Sequence, residues 1–514
     1  MVNDMKYSTG ATIPGCRFPA GDKHRYLWMI RTAFLLLLAF AGRQPVCAQT
    51  KTPIYAEVHQ NTDSLYRLPL EEVVHLIESR FHVKIRYPEK LVQGKWVTYA
   101  FWRFRPTLAK TFEKVLGPLD LKVNPDGKDA DGHDKYELKA YEFYRWPVKE
   151  GWAMLEAIAS QYHDKQSWEL RKDSLRRELY TAVGLPVIPR AHLHPIHLTP
   201  LRTYADYTVR NFALEILPGL YLNGSIYRPR HYKGKLPVML SPDGHWAEQR
   251  YRKDCQIRCA TLAKLGAMAI SYDLFAWGES LLQFKPEDHR KSLSITVQTL
   301  GAIRLLDYVC ALPEVDTARV GISGGSGGGS HTVLMAAMDP RIKLSAPVVA
   351  VSSYFYGGCP CESGRGIHEC GGGTDNVELA AMAAPHPQLL ISDGSDWTQH
   401  MPEHDFPYLQ KVYGYYGAAE NVHNVHLPHD HHDFGLSKRI PLYHFVANYF
   451  HLPIEKIKKN GAIDESFVHI EPKEALYAFG PHGEDLPEKA IKGYDALVKV
   501  YKAVMKKASE NIRQ

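Results

Sequence analysis

Three residues in the second half of the sequence have the types, order and surroundings for acyl transfer. Gly324 to Gly328 reads Gly-Gly-Ser-Gly-Gly and fits G-x-S-x-G, a pattern that sets a serine on a tight turn between a strand and a helix. Ala318 to Ser323 reads as a short buried strand before the turn, and Ser330 to Met338 as a helix of small and apolar residues after it. Glycines on both sides let the serine take a strained backbone angle and let strand and helix approach closely. Gly321 to Gly325 matches the same pattern and would make Ser323 the central serine. Ser323 still lies in the apolar strand run, whereas Ser326 falls at the turn. Ser326 is therefore assigned as the nucleophile, with Ser323 as the alternative.

A serine nucleophile needs a base to take its proton and an acid to orient that base. Pro387 to Ser392 has strand character and runs into Asp393-Gly-Ser-Asp396. Asp396, on the far side of the Gly-Ser turn, is free to point at a histidine, while Asp393 shapes the turn as Asp commonly does. Glu362 ranks below Asp396 as a third candidate acid. Asn421 to Leu427 alternates like a last strand and enters Pro428-His-Asp-His-His-Asp-Phe-Gly435, where His432 is the expected base. The oxyanion should meet the amide of Gly327 and a second amide, that of His245 or Trp246, in the loop after the strand Leu236 to Pro242. The competing reading of His423, His426, His429, His431 and His432 is a metal cluster. A catalytic metal needs a spaced pair on one element plus a third ligand, and these residues straddle a strand and a loop with Pro428 between. No metal and no cofactor is expected. His192, His194 and His197 around Pro195 read as a polar loop.

The elements that carry these residues alternate between strands and helices. Met268 to Tyr272 is another strand, leading to the loop Asp273 to Ser280 at the same end of the sheet. This order predicts an α/β fold with a mostly parallel central sheet and flanking helices. Trp246, Trp277 and Trp397 lie in loops at the catalytic end; Trp277, Trp397 and Glu362 are the expected substrate contacts.

From about residue 201 to 480 the sequence resembles the α/β-hydrolases of the acetylxylan-esterase-like group of bacterial carbohydrate esterases. The resemblance is carried by Pro242 to Trp246, Tyr272 to Ser280, Val320 to Gly329, Gly357 to Glu362, Ser392 to Thr398 and His432 to Arg439. It implies Ser326, Asp396 and His432 as a catalytic triad, and a plant polysaccharide or oligosaccharide bearing ester groups as substrate. Methyl esters of a pectin-type galacturonan are favoured over O-acetyl groups. A serine peptidase of the same fold, or a non-catalytic interaction protein, is the rival. One departure stands out: Asp243 occupies the place where the group often has a His, which would change the charge of the pocket.

Residues 64–142 are similar to the short N-terminal domain of secretins and TonB-linked proteins. Leu68 to Ile77 opens an amphipathic helix with Leu70, Val73, Val74 and Ile77 on one face. Val83 to Tyr87 alternates as a strand. A second helix from Thr107 to Leu116 shows Leu108, Phe112, Val115 and Leu116, and strands over 121–123 and 136–139 close a small α+β domain. Its expected role is interaction or spacing rather than chemistry, with contact to a protein partner as one form of it. Residues 143–200 read as a linker, charged and helical at first and then rich in Pro and His, and residues 481–514 as a C-terminal helix.

The chain has 514 residues, 45% of them hydrophobic, enough for a large core. Met29 to Ala41 is basic and then apolar, and Val46-Cys-Ala48 supplies a small-residue cleavage site. Residues 1–48 are thus expected to be a presequence and secretory signal, with a periplasmic or extracellular destination. The apolar run is too short to span a membrane at about 20 residues. The formal charge is +6, but six Lys/Arg and two Asp/Glu lie in residues 1–48, leaving 56 against 54, or +2. So small a basic excess makes no case for nucleic-acid binding. Six cysteines follow the signal: Cys255, Cys259, Cys310, Cys359, Cys361 and Cys370. An even count in an exported chain predicts disulfides, with a Cys-ligated metal as the alternative.

Overall fold

The computed structural model describes residues 66–119, 121–140, 146–185, 195–364 and 366–513. The signal segment, His192 and His194 lie outside these residues. Two compact units share the chain, one ending at Tyr141 and the other beginning at Glu142.

In the first unit, β1 (Arg67–Pro69) leads directly into helix α1 (Leu70–Phe81). Strand β2 (Lys84–Arg86) follows, then β3 (Trp96–Thr98), α2 (Leu108–Leu116), β4 (Leu121–Lys128) and β5 (Asp134–Ala140). Helix α1 buries Leu70, Val73, Val74 and Ile77, the face expected from the 3.6-residue period. Helix α2 buries Phe112, Val115 and Leu116 in the same cluster. Strands β2, β5 and β4 form a three-stranded sheet, and β1 pairs with β3.

The second unit is built on a ten-stranded sheet. Its strands are β6 (Ile196–Leu198), β7 (Arg202–Thr203), β8 (Tyr207–Leu217), β9 (Leu220–Pro229), β10 (Leu236–Pro242), β11 (Met268–Tyr272), β12 (Val315–Ile322), β13 (Leu344–Ser345), β14 (Gln388–Asp393) and β15 (Val422–Leu427). Their spatial order is β15-β14-β13-β12-β10-β11-β9-β8-β6, with β7 beside β8. From β11 to β15 every neighbouring pair is parallel, whereas β9, β8 and β6 add on antiparallel. The parallel strands are buried on both faces, so β10 and β11 are mostly apolar and buried at every position rather than alternating. Helices lie between them: α5 (Lys253–Leu265), α6 (Ser294–Cys310), α7 (Gly327–Met338), α8 (Asn376–Ala381), α9 (Phe406–Gly414) and α10 (Leu436–Phe450). This is the mostly parallel, helix-flanked sheet expected from the alternation of elements. Helix α11 (Tyr494–Arg513) closes the chain and sends Leu497 into the largest apolar cluster. No helix among the described residues is long and apolar enough to cross a membrane.

Residues 146–185 differ from the linker expected there. They form two helices, α3 (Val148–Ala159) and α4 (Lys165–Ala182). Asp164 caps α4 by accepting from the Ser167 amide at 2.8 Å. Trp168, Leu175 and Leu179 are fully buried in one cluster with Val377, Leu379 and Leu409. Arg171 fixes the docking: its Nε and Nη2 donate to the two Glu378 carboxylate oxygens at 2.8 and 2.9 Å, and Nη2 also reaches the Gly373 carbonyl at 2.7 Å. Because α4 is charged on most of its surface and carries one narrow apolar stripe, its composition looks like a linker while its stripe makes it part of the core.

Candidate active site

The turn after β12 puts Ser326 in an unusual backbone state, φ 54° and ψ −123°. Non-glycine residues avoid positive φ, so the surrounding bonds must impose it. The Ser326 amide donates to the Val348 carbonyl at 3.0 Å, and the Gly329 and Ser330 amides return to the Ser326 carbonyl at 2.8 and 3.0 Å. A Cβ on Gly328 would sit 2.6 Å from the Pro242 carbonyl oxygen, so β10 and the first turn of α7 touch only because that residue has no side chain. Helix α7 begins at Gly327, three residues earlier than the apolar run suggested, since the glycines themselves form its first turn. Ser323 is fully buried, and its hydroxyl donates to the Ala346 carbonyl at 2.8 Å. It lies one residue past the end of β12, buried and with its hydroxyl engaged by that carbonyl.

Loops at the ends of β14 and β15 bring the other two residues to Ser326. His432 Nε2 lies 2.9 Å from Ser326 Oγ, and its Nδ1 lies 2.5 Å from Asp396 Oδ2. A carboxylate can only accept, so Nδ1 carries the proton and Nε2 is left with a lone pair aimed at the serine hydroxyl. The other Asp396 oxygen accepts from the Thr398 amide and hydroxyl, each at 2.6 Å, which locks the carboxylate. Trp397 and Trp246 flank the imidazole, with ring centroids 4.7 and 5.8 Å away. Asp393 plays the turn role: its Oδ1 accepts from the Ser395 amide at 3.1 Å, and burial followed by the nearby Asp396 charge raises its pKa. Two other histidines of the segment turn elsewhere, His423 to the Tyr449 hydroxyl at 2.9 Å and His426 to the Ser392 hydroxyl at 2.9 Å.

Lys438 was not foreseen. Fully buried in α10, its ammonium donates to the His431 carbonyl at 2.6 Å and to Asp433 at 2.9 Å, and sits 3.4 Å from Asp393. One cation therefore ties the histidine loop to the turn that carries Asp396. A lone Lys in an amphipathic helix gives no sequence signal that it is buried.

The loop after β10 lies against Gly327. A Cβ there would sit 2.4 Å from the His245 ring and 2.8 Å from Glu362 Oε1. Asp243 is buried and paired with Arg252 at 2.8 and 3.0 Å, and Arg252 lies over the Trp246 ring at 4.6 Å. The expected change in pocket charge is thus cancelled locally by Arg252. Glu362 contacts His245 Nδ1 at 3.2 Å and accepts from the Gly358 amide. Trp277 packs its ring on His245 and His289, centroids 5.8 and 5.5 Å apart. Glu362 and Trp277 are thus engaged with the His245 side chain. The expected disulfides are not formed among the described residues: none of Cys255, Cys259, Cys310, Cys359, Cys361 and Cys370 is bridged. Cys359 and Cys361 instead gather with His245 and His289.

Beyond Asp396, Asp405 is buried and accepts from the Ser353 hydroxyl at 2.7 Å and the Ser353 amide at 3.3 Å. Burial raises its pKa from 3.8 to about 7, only partly offset by the Ser353 bonds. The native state then holds a proton that the unfolded chain has lost, so Asp405 contributes stability below pH 3.8 that is lost as the pH rises through about 7. In wild type this adds a downward slope of at most ~1.4 kcal/mol per pH unit across that window. Asp405→Asn, neutral at every pH, is expected to flatten it in denaturant titrations at stepped pH. Parallel wild-type and variant curves would remove Asp405 as the source.

A hydroxyl, an imidazole with its lone pair on that hydroxyl, and a buried carboxylate behind the imidazole are the parts needed for nucleophilic attack on an ester carbonyl. A family model described as acetyl xylan esterase matches residues 289–356. A solved structure named Methylesterase BT1017 is 44% identical over 88% of this chain and 99% of its own, with a TM-score of 0.68. A glucuronoyl esterase from Solibacter usitatus is 15% identical over 55% of this chain and 93% of its own, TM-score 0.43. An acetyl xylan esterase from Paenibacillus sp. R4 is 17% identical over 59% and 99%, TM-score 0.37. No curated protein matches.

Proposed function

The chain belongs to the family of Methylesterase BT1017, and from that premise we propose that it is a serine carbohydrate esterase that removes methyl esters from a pectin-type galacturonan. The observation that carries the reading is the contact chain from Ser326 Oγ to His432 Nε2 at 2.9 Å and from His432 Nδ1 to Asp396 at 2.5 Å. His432 takes the hydroxyl proton as Ser326 attacks the ester carbonyl. Asp396 holds the imidazole in the required tautomer and stabilises its cation. The amides of Gly327 and of His245 or Trp246 receive the oxyanion. His432 then returns the proton to the leaving alcohol, and water attacks the acyl-serine by the same route in reverse, with His432 as base. The Trp397 ring, 4.7 Å from the His432 imidazole, supports a role in stacking on a sugar ring of the substrate. The presequence at residues 1–48 fits export to polysaccharide outside the cytoplasm, and the first unit fits a docking role.

The name of the 44% identical relative favours methyl esters. The acetyl xylan esterase model over residues 289–356 favours O-acetyl groups as a second reading. Methanol release from methylated pectin and acetate release from acetylated xylan, measured side by side with Ser326→Ala as control, separate them. Methanol alone, lost in the variant, is the expected result. Acetate alone would replace the substrate, and activity that survives Ser326→Ala would remove the mechanism.

A further inference from the structure

Beside the oxyanion loop lies a group of side chains that the esterase reaction does not use. His245, His289, Cys359 and Cys361 come from four points in three separate stretches of chain, and one ligand atom of each lies within 4.8 Å of all the others. His289, Cys359 and Cys361 are buried, and His245 is partly so. The nearest approaches are 2.8 Å between the two Nε2 atoms, 3.1 Å from His245 Nε2 to Cys361 Sγ, and 3.5 Å from Cys359 Sγ to His289 Nε2. A tetrahedral ion with bonds of about 2.0–2.1 Å to nitrogen and 2.3 Å to sulfur separates its ligands by roughly 3.3 to 3.8 Å. The four atoms therefore enclose a point of the right size, drawn in slightly.

The tautomers supply an independent argument. His289 Nδ1 lies 2.5 Å from the Phe275 carbonyl oxygen, which can only accept, so that nitrogen carries the proton. His245 Nδ1 faces the Glu362 carboxylate at 3.2 Å and is likewise the donor. In the neutral rings both Nε2 atoms are then lone pairs, and they point at each other at 2.8 Å. A shared cation between them turns that repulsion into coordination. Imidazoles whose far N–H is held by a carboxylate and by a backbone carbonyl are the usual outer shell of a metal-bound histidine.

We propose that His245, His289, Cys359 and Cys361 bind one zinc ion that fixes the loop bearing the second oxyanion amide. Two thiols and two imidazoles in a tetrahedron select zinc among the common divalent ions. On binding, two thiol protons leave as two positive charges enter, so the buried cluster is neutral overall, which keeps its burial inexpensive. All four positions are protein ligands, so the ion is structural and holds no substrate. It joins the loop after β10 to the segments at His289 and at Cys359–Cys361, and the His245 ring packs on Gly327. The positioning role rests on the serine-esterase reading; the zinc itself does not.

The test is elemental analysis of the purified full chain after dialysis. The expected result is one zinc per chain, lost in His289→Ala and in Cys361→Ser, and retained in Cys310→Ser, whose thiol lies outside the cluster. Cobalt exchange into the unmutated chain keeps the test open should the variants fail to fold. Tetrahedral d–d bands together with a thiolate-to-cobalt charge-transfer band are expected. Removal of zinc should lower kcat by about 10-fold or more with little change in KM. A metal-free chain with all thiols reduced would mean an imidazolium–thiolate cluster and overturn the proposal. A Cys359–Cys361 disulfide, detected by mass, would overturn it too. Bound zinc without esterase activity would leave the ion standing and sink the catalytic reading; activity without zinc would do the reverse.

Discussion

Ser326→Ala is expected to lower kcat on the ester substrate by about 10^4- to 10^6-fold while leaving the fold intact. The small change in bulk explains the second half of that statement. Ser326 sits at a backbone φ of 54° that its amide and carbonyl bonds hold in place, and none of those bonds uses the hydroxyl. The first half follows from chemistry. Without Oγ, the His432 lone pair has no proton to take, and only oxyanion stabilisation and substrate positioning remain. His432→Ala should fall to a similar level, and the double variant no further, because the two act as one device. Ser323→Ala is the internal control. It loses a buried hydrogen bond to the Ala346 carbonyl at 2.8 Å, worth about 1 kcal/mol of stability, and should keep kcat within a few-fold. Labelling by a fluorophosphonate reports the same contrast directly: lost in Ser326→Ala, kept in Ser323→Ala. A label that stays on Ser326→Ala would move the nucleophile elsewhere.

The residues the sequence brought forward and the ones it hid differ in how their positions are encoded. Ser326, Asp396 and His432 each follow a run with clear strand character. In a parallel sheet every such strand ends on the same side, so chain order alone predicts convergence. The structure places all three there, within hydrogen-bond reach of one another. Leu70, Val73, Val74 and Ile77 were legible for a similar reason, because a 3.6-residue period needs no tertiary information. Lys438 and Arg171 were not legible. Each is a charged residue on a helix whose burial depends on what packs over it, Asp393 and Asp433 in one case and Glu378 in the other. His289 was equally hidden, standing 44 residues from one partner and 70 from another, a spacing that fits no short ligand motif. The cysteines misled through their even number, because pairing by compartment says nothing about two imidazoles lying beside two of them. In each of these cases a local rule was overridden by a long-range contact.

Asp396→Asn is the second large loss, expected at about 10^4-fold in kcat with KM nearly unchanged. An asparagine is close in shape to aspartate but presents either an NH2 group or a carbonyl to His432 Nδ1. The Thr398 amide and hydroxyl both donate to Oδ1 of residue 396, each at 2.6 Å, and therefore claim the carbonyl oxygen. The amide NH2 is left facing Nδ1. That pairing favours an Nδ1 lone pair and moves the imidazole proton to Nε2, where it meets the serine hydroxyl and cannot receive its proton. Asp393→Asn makes the informative contrast. Asp393 is the nearer acid to the strand end, but its contacts are the Ser395 amide at 3.1 Å and the Lys438 ammonium at 3.4 Å. Removing its charge leaves Lys438 with Asp433 and the His431 carbonyl, so the effect should appear in the melting temperature and only weakly in kcat. Raising the pH should restore part of the Asp396→Asn activity, as more of the imidazole–serine pair loses its proton, and should do nothing comparable for Asp393→Asn. If the two variants exchanged these behaviours, Asp393 would be the orienting acid and the geometry around His432 would have to differ in the working enzyme.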